Sequence, residues 1–150
     1  MWALIGKHHK ADNRKLLITA LDRHRLHACL TAFCGRAIPE EEEWGRGFIR
    51  ALLQAKLILH QEETPANLVT MNSRIRLRDV DTGEERVYTL VYPADVEEGT
   101  DRVSVLTPLG AALLGSRTGD VLNVSQRGAK RRYSVEDVLY QPEASHHWHL

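Results

Sequence analysis

The hydrophobic pattern of this 150-residue chain changes its period once, and that change limits the folds it can adopt. Before residue 61 the apolar residues recur every three or four positions, as on one face of an α-helix. After residue 67 they alternate with polar residues, as in strands buried on one side. The segment Gln61–Asn67, which contains Thr64-Pro65, is predicted to link the two parts. The sequence therefore predicts an α+β protein with helices first and a sheet domain after them.

Two amphipathic helices are predicted before the link. The first begins at Thr19, a good N-cap, with the Asp22 carboxylate placed for a capping box, and it ends at Cys34-Gly35. The second runs over about residues 39–60. A short connection between two such helices favours an antiparallel hairpin. With about 15 residues per helix and about 1.5 Å per residue, this arm would be about 22 Å long.

The second half of the chain is predicted to be an antiparallel sheet domain with one short helix. The first two strands form a hairpin across the turn Asp81-Thr82-Gly83, and the first of them carries arginines on its outer face. The short helix has Thr107 as N-cap, Pro108 at its first position and Gly115 after its end. The predicted strands are Arg74–Arg78, Glu85–Tyr92, Arg102–Leu106, Val121–Ser125 and Arg131–Tyr140.

The composition excludes some classes of function. Lys and Arg together number 20, as do Asp and Glu, and neither half of the chain is markedly basic, which disfavours direct binding to nucleic acid. No apolar run is long enough to span a membrane, and the N-terminus lacks the pattern of a signal peptide. Cys29 and Cys34 are predicted to be free thiols, which fits a cytoplasmic protein.

Few residues suggest chemistry. The histidines of the C-terminal run His146–His149 are predicted to lie in a solvated tail, because metal ligands need fixed spacing and supporting residues. No nucleophile elbow and no Gly-rich phosphate loop is present. We therefore expect no catalytic residue, no metal site and no cofactor. A run of four acids, Glu40, Glu41, Glu42 and Glu43, either favours the start of a helix or could contribute ligands to Mg²⁺.

Five ordered segments resemble the Gre-factor superfamily, in particular its short-armed regulators of nucleoside diphosphate kinase. The resemblance covers about residues 18–150 and leaves residues 1–16 outside it. The segments are Val69–Leu77, Leu90–Ala94, Leu106–Gly115, Gly119-Asp120 and Val138–Ala144.

The resemblance implies a fold and a partner. It implies an FKBP-like domain at residues 67–150 and a helical arm at residues 17–66. Residues 1–16 show no clean hydrophobic period and are rich in His, Lys and Arg, so we expect them to be loosely ordered. The resemblance also implies docking at the rim of the secondary channel of bacterial RNA polymerase, and so contact with nucleic acid only through the polymerase. The principal contact would be the loop that contains Thr107, Pro108, Leu109 and Gly110. We expect the protein to act as a cytoplasmic monomer.

Three alternatives remain open beside a polymerase-binding regulator without catalysis. The first is a cleavage-stimulating factor with Glu40–Glu43 at the arm tip, although cleavage-stimulating Gre factors have a longer arm and an Asp and a Glu at its tip. The second is a prolyl isomerase, although Phe and Trp are almost absent after Asn67. The third is a direct regulator of nucleoside diphosphate kinase.

Overall fold

The computed structural model describes residues 15–32, 43–126 and 128–150. The predictions for the N-terminal segment up to residue 14, for the helix end at Cys34-Gly35 and for Glu40, Glu41 and Glu42 lie outside the described residues.

The described chain contains three helices and seven strands, which confirms the α+β class. Two short 3₁₀ turns, Gln61–Glu63 and Pro93–Asp95, lie in the connections. The elements in chain order are β1 (Leu17–Thr19), α1 (Ala20–Ala32), α2 (Glu43–Leu53), β2 (Lys56–Ile58), β3 (Arg74–Asp79), β4 (Glu85–Val91), β5 (Arg102–Ser104), α3 (Pro108–Leu113), β6 (Val121–Gln126) and β7 (Ala129–Tyr140).

Five strands form the main sheet in the order β5-β4-β3-β7-β6. Three of its pairs are antiparallel, but β5 runs parallel to β4, so the prediction of a wholly antiparallel sheet is wrong at this edge. Residues 92–101 carry the chain back along β4, and the Thr89 N–H donates to the Asp101 carbonyl oxygen at 3.0 Å. The next strand therefore starts beside Thr89 and runs in the direction of β4.

The second helix is shorter than its hydrophobic pattern predicted. It ends at Leu53, and the chain then pairs as β2 in parallel with β1. The Lys56 N–H donates to the Leu16 carbonyl oxygen at 2.8 Å, which begins this pairing. Ile58 is buried by it, whereas Leu59, which would have continued the helical row, is 71% exposed. Pairing with a strand from earlier in the chain overrides the local helical period.

One hydrophobic core joins the helices to the sheet. The inner face of the sheet contributes residues such as Ile75 and Leu122, and α3 contributes Leu113. The first two helices add Leu26, Phe48 and Leu52 to the same cluster. Both helices therefore pack directly on the sheet domain. In the described part of the chain, no helix has the length and apolar character needed to cross a membrane.

Candidate functional site

The turn between β5 and α3, residues 104–110, is held by a compact set of hydrogen bonds. The Thr107 hydroxyl donates to the Ser104 carbonyl oxygen at 2.7 Å and accepts from the Gly110 N–H at 3.1 Å. The Ser104 hydroxyl accepts from the Leu106 N–H at 3.0 Å. Thr107 is the N-cap of α3 and Pro108 is at its start, as the sequence predicted. The hydroxyls of Ser104 and Thr107 thus hold backbone groups at both ends of the turn and restrict its conformation.

Gly110 lets α3 lie against the end of β5. A Cβ atom at this position would be 1.9 Å from the Ser104 carbonyl oxygen and 2.8 Å from the Val105 Cα atom. Both of these atoms belong to the backbone, so neither can rotate away. Thr107, Pro108 and Leu109 are half-buried, whereas Gly110 is buried. The first three therefore form the surface of the predicted polymerase-binding loop, and Gly110 sets its shape.

A groove of about 560 Å³ lies beside this turn. Pro108 lines one wall, and Trp44 and Phe48 of α2 line another. Trp44 and Phe48 are four positions apart, a spacing that puts both on one face of a helix, but this spacing alone did not indicate that they would line a groove. The structure thus brings two aromatic side chains of the arm to the predicted docking loop. The groove is also lined by Leu16, Lys56, Ala112, Leu114, Arg117, Asp120, Asn123 and Ser125, among others.

The predicted arm tip is described only at its last residue. Glu43 is the first residue of α2, and Glu40, Glu41 and Glu42 lie outside the described residues. The 13 residues of α1 span about 20 Å at about 1.5 Å per residue.

The C-terminal histidines are exposed, in agreement with the predicted solvated tail, and His147 and His149 also make hydrogen bonds. The Tyr140 hydroxyl is hydrogen-bonded to Nδ1 of His147 at 2.5 Å. The Arg25 guanidinium of α1 donates to the His149 carbonyl oxygen at 3.2 Å. The tail therefore contacts the arm. Over residues 15–32, 43–126 and 128–150, no group of three His, Cys, Asp or Glu side chains is arranged to hold a metal ion.

A buried polar cluster lies where α1 meets the sheet domain. The Asp22 carboxylate accepts from the Met71 N–H at 3.1 Å and from the Tyr92 hydroxyl at 3.3 Å. The Glu143 carboxylate accepts from the Thr70 hydroxyl at 3.3 Å. Thr70 and Met71 are neighbours, so both carboxyl groups lie against the same turn. No motif in the sequence indicated this cluster.

Burial governs the ionisation of the cluster. Burial is the main cause that raises the pKa of Asp22 to about 7; the hydrogen bond from Met71 opposes this rise, and the charge of Glu143 adds to it. Burial likewise raises the pKa of Glu143 and that of the Tyr92 hydroxyl. An acid that titrates near neutral pH can change its charge under ordinary conditions.

Thr19 caps α1 as predicted, but Asp22 does not complete a capping box. The Thr19 hydroxyl accepts from the Asp22 N–H at 3.1 Å. The Asp22 side chain instead points to Met71 and Tyr92, 49 and 70 positions away in the sequence. A tertiary contact has taken the carboxylate that the local pattern assigned to the helix end.

Known proteins resemble this chain over both of its parts. The family model "Transcription elongation factor, GreA/GreB, C-term" matches residues 64–140. The regulator of nucleoside diphosphate kinase of Escherichia coli is 37% identical over 133 residues, which cover 87% of this chain and 93% of that protein. The transcription elongation factor GreA of Beijerinckia indica is 29% identical over 140 residues, which cover 90% of this chain and 88% of that one.

A solved structure agrees with these sequence matches. The prokaryotic transcription elongation factor GreA/GreB from Nitrosomonas europaea superposes with a TM-score of 0.71 and 35% identity, covering 84% of this chain and 100% of that chain. The segment that matches the family model contains the capped turn Thr107–Gly110. This chain belongs to the GreA/GreB family of transcription elongation factors, and it is related over most of its length to a regulator of nucleoside diphosphate kinase.

Proposed function

We propose that this protein is a transcription regulator that binds bacterial RNA polymerase at the rim of the secondary channel, competes there with Gre-type factors and does not stimulate transcript cleavage. In this proposal residues 67–150 form the FKBP-like docking domain and residues 17–66 form a short hairpin arm. The protein acts as a cytoplasmic monomer and reaches nucleic acid only through the polymerase.

The turn Thr107–Gly110 is the observation that carries the proposal. Its backbone is held by side-chain hydrogen bonds, Pro108 and Leu109 are only partly buried, and it lies in the segment that matches the GreA/GreB family model. A rigid loop loses little conformational entropy when it binds a partner. The adjoining groove extends the apolar surface from Pro108 to Trp44 and Phe48. Together these features offer a preformed site for an apolar segment of a protein partner.

The test is the double substitution Pro108→Ala with Leu109→Asp. It removes apolar surface and places a charge in the contact, so we expect at least a tenfold loss of affinity for core polymerase in a titration. The matched control is Pro93→Ala with Val96→Asp, which makes the same type of change in the loop after β4, where Val96 is 45% exposed. The control should bind like the wild-type protein.

Circular dichroism must show that both double variants are folded before their affinities are compared. Equal affinity of the two variants would show that the turn is not the contact. Failure of the wild-type protein to bind core polymerase, together with binding to nucleoside diphosphate kinase, would favour the kinase regulator instead.

The acidic run Glu40–Glu43 is proposed to act by charge at the channel entrance. Carboxylates take part in metal chemistry only as direct ligands, at about 2.0–2.6 Å, or through a bridging water. The predicted arm of about 22 Å is shorter than that of the cleavage-stimulating factors which this chain resembles. Beyond direct coordination, the field of exposed charges is screened within about 8–10 Å.

Replacing all four glutamates with alanine should therefore leave polymerase affinity within about threefold at physiological salt and weaken its dependence on salt. The measurement is binding across a series of salt concentrations. A second measurement uses a backtracked elongation complex. Transcript cleavage by the wild-type protein that depends on the glutamates would contradict the proposal, because it would show that the tip reaches the catalytic Mg²⁺.

A further inference from the structure

Two carboxyl groups are buried without a cation where the arm meets the sheet domain. Asp22 of α1 is 2% exposed, and Glu143 of the C-terminal segment is 4% exposed. Among the ion pairs of the described residues, none involves either group. Buried acids that lack a cationic partner resist ionisation, and two that lie close together resist it more.

The two acids are joined through one turn, and their hydrogen bonds are incomplete. Met71 and Thr70, which are adjacent, donate to Asp22 and Glu143 respectively. Oε1 of Glu143 is buried and has no hydrogen-bond partner. An ionised carboxylate needs several donors to offset its lost hydration. Asp22 accepts from Met71 and Tyr92 and is also hydrogen-bonded to the Thr19 side chain, whereas one oxygen of Glu143 accepts from Thr70 and the other has no partner side chain.

The other polar groups at this junction do not neutralise the pair. The turn contributes the hydroxyls of Thr70 and Ser73, which are hydrogen-bonded to each other at 3.1 Å. Tyr92, the residue after β4, contributes its hydroxyl. The Arg25 side chain of α1 donates to the His149 carbonyl oxygen and lies near Tyr92. The C-terminal segment adds Tyr140 and His147, which bond to each other.

We propose that Asp22 and Glu143 form a proton-sensitive joint, which holds the arm on the sheet domain while at least one carboxyl group is protonated and loosens when both are ionised. Asp22 belongs to the arm, and Glu143 lies beyond the last strand of the sheet. Their mutual repulsion therefore acts directly across the contact between the two parts. The joint does not depend on what the sheet domain binds.

The sign of the pH dependence follows from the ionisation of Asp22. When the arm is packed on the sheet domain, the pKa of Asp22 is about 7, whereas an exposed aspartate has a pKa of 3.8. At a pH between these two values, Asp22 is ionised when the arm is detached from the sheet domain and protonated when the arm is packed on it. A rise in pH within this range therefore favours detachment of the arm. The effect grows from about pH 4 to about pH 7 and is constant above that range.

The joint can be tested by amide hydrogen exchange and NMR on the full chain. From pH 5 to pH 8, the protection factors of the α1 amides, corrected for intrinsic exchange, should fall at least tenfold. The Met71 amide resonance should shift over the same range, because this N–H donates to Asp22. Asp22→Asn mimics the protonated acid and should abolish both changes. The matched control Asp101→Asn alters an exposed aspartate and should retain them.

Glu143→Gln tests the coupling without altering Asp22. It removes the charge that raises the Asp22 pKa, so the midpoint of the Met71 shift should move to lower pH. An unchanged midpoint would overturn the joint, as would a pH dependence in Asp22→Asn equal to that of the wild-type protein. Restoration of protection at pH 8 by Ca²⁺ would also overturn it, because it would show a cation site between the two acids.

Discussion

Gly110→Ala should lower the free energy of unfolding by about 3 kcal/mol and should also impair docking. The new methyl group would lie 1.9 Å from the Ser104 carbonyl oxygen, far inside van der Waals contact. Relief requires α3 to move away from the end of β5, which breaks the bonds between Thr107, Ser104 and Gly110. Equilibrium denaturation by urea measures the change in stability.

Gly47→Ala is the matched control for this substitution. Gly47 lies within α2, is exposed, and has no atom within 4 Å of an added Cβ. Alanine there should raise the free energy of unfolding by about 0.5–1 kcal/mol, because glycine is a poor helix former. Similar effects of the two substitutions would show that the crowding at Gly110 is not as the structure describes.

Gln141→Leu should lower the free energy of unfolding by about 1–3 kcal/mol. The Gln141 amide is buried, and its Nε2 donates to the Leu68 carbonyl oxygen at 2.7 Å and to the Pro65 carbonyl oxygen at 2.8 Å. Leucine fills a similar space but cannot donate. The Leu68 carbonyl would lose this donor, and Pro65 would keep only its bond from the Leu68 N–H. Thermal and urea denaturation both measure the loss.

Gln54→Leu makes the same chemical change at an exposed position near the end of α2 and should alter stability by less than about 0.5 kcal/mol. If Gln141→Leu were as mild as this control, the amide would not be anchoring the linker to the C-terminal segment. A large loss in both variants would indicate that the added leucine, rather than the missing donor, causes the effect.

The sequence by itself determined the features whose cause is local. Thr107, Pro108 and Gly115 delimit α3 because an N-cap hydroxyl, a proline at the first position and a glycine with φ of 78° act within a few residues of one another. The alternation at Arg74–Arg78 predicted β3, since one face of that strand is buried. The ordered motifs were enough to identify the GreA/GreB family.

Only the tertiary structure decided the features that depend on distant partners. Lys56–Ile58 became a strand because Leu17–Thr19 was available to pair with it, although its spacing continued a helix. Asp22 became half of a buried acid pair because Met71 and Glu143 meet it from elsewhere in the chain. No local pattern encodes such contacts, since their free energy comes from burial and hydrogen bonds between segments that are far apart in sequence.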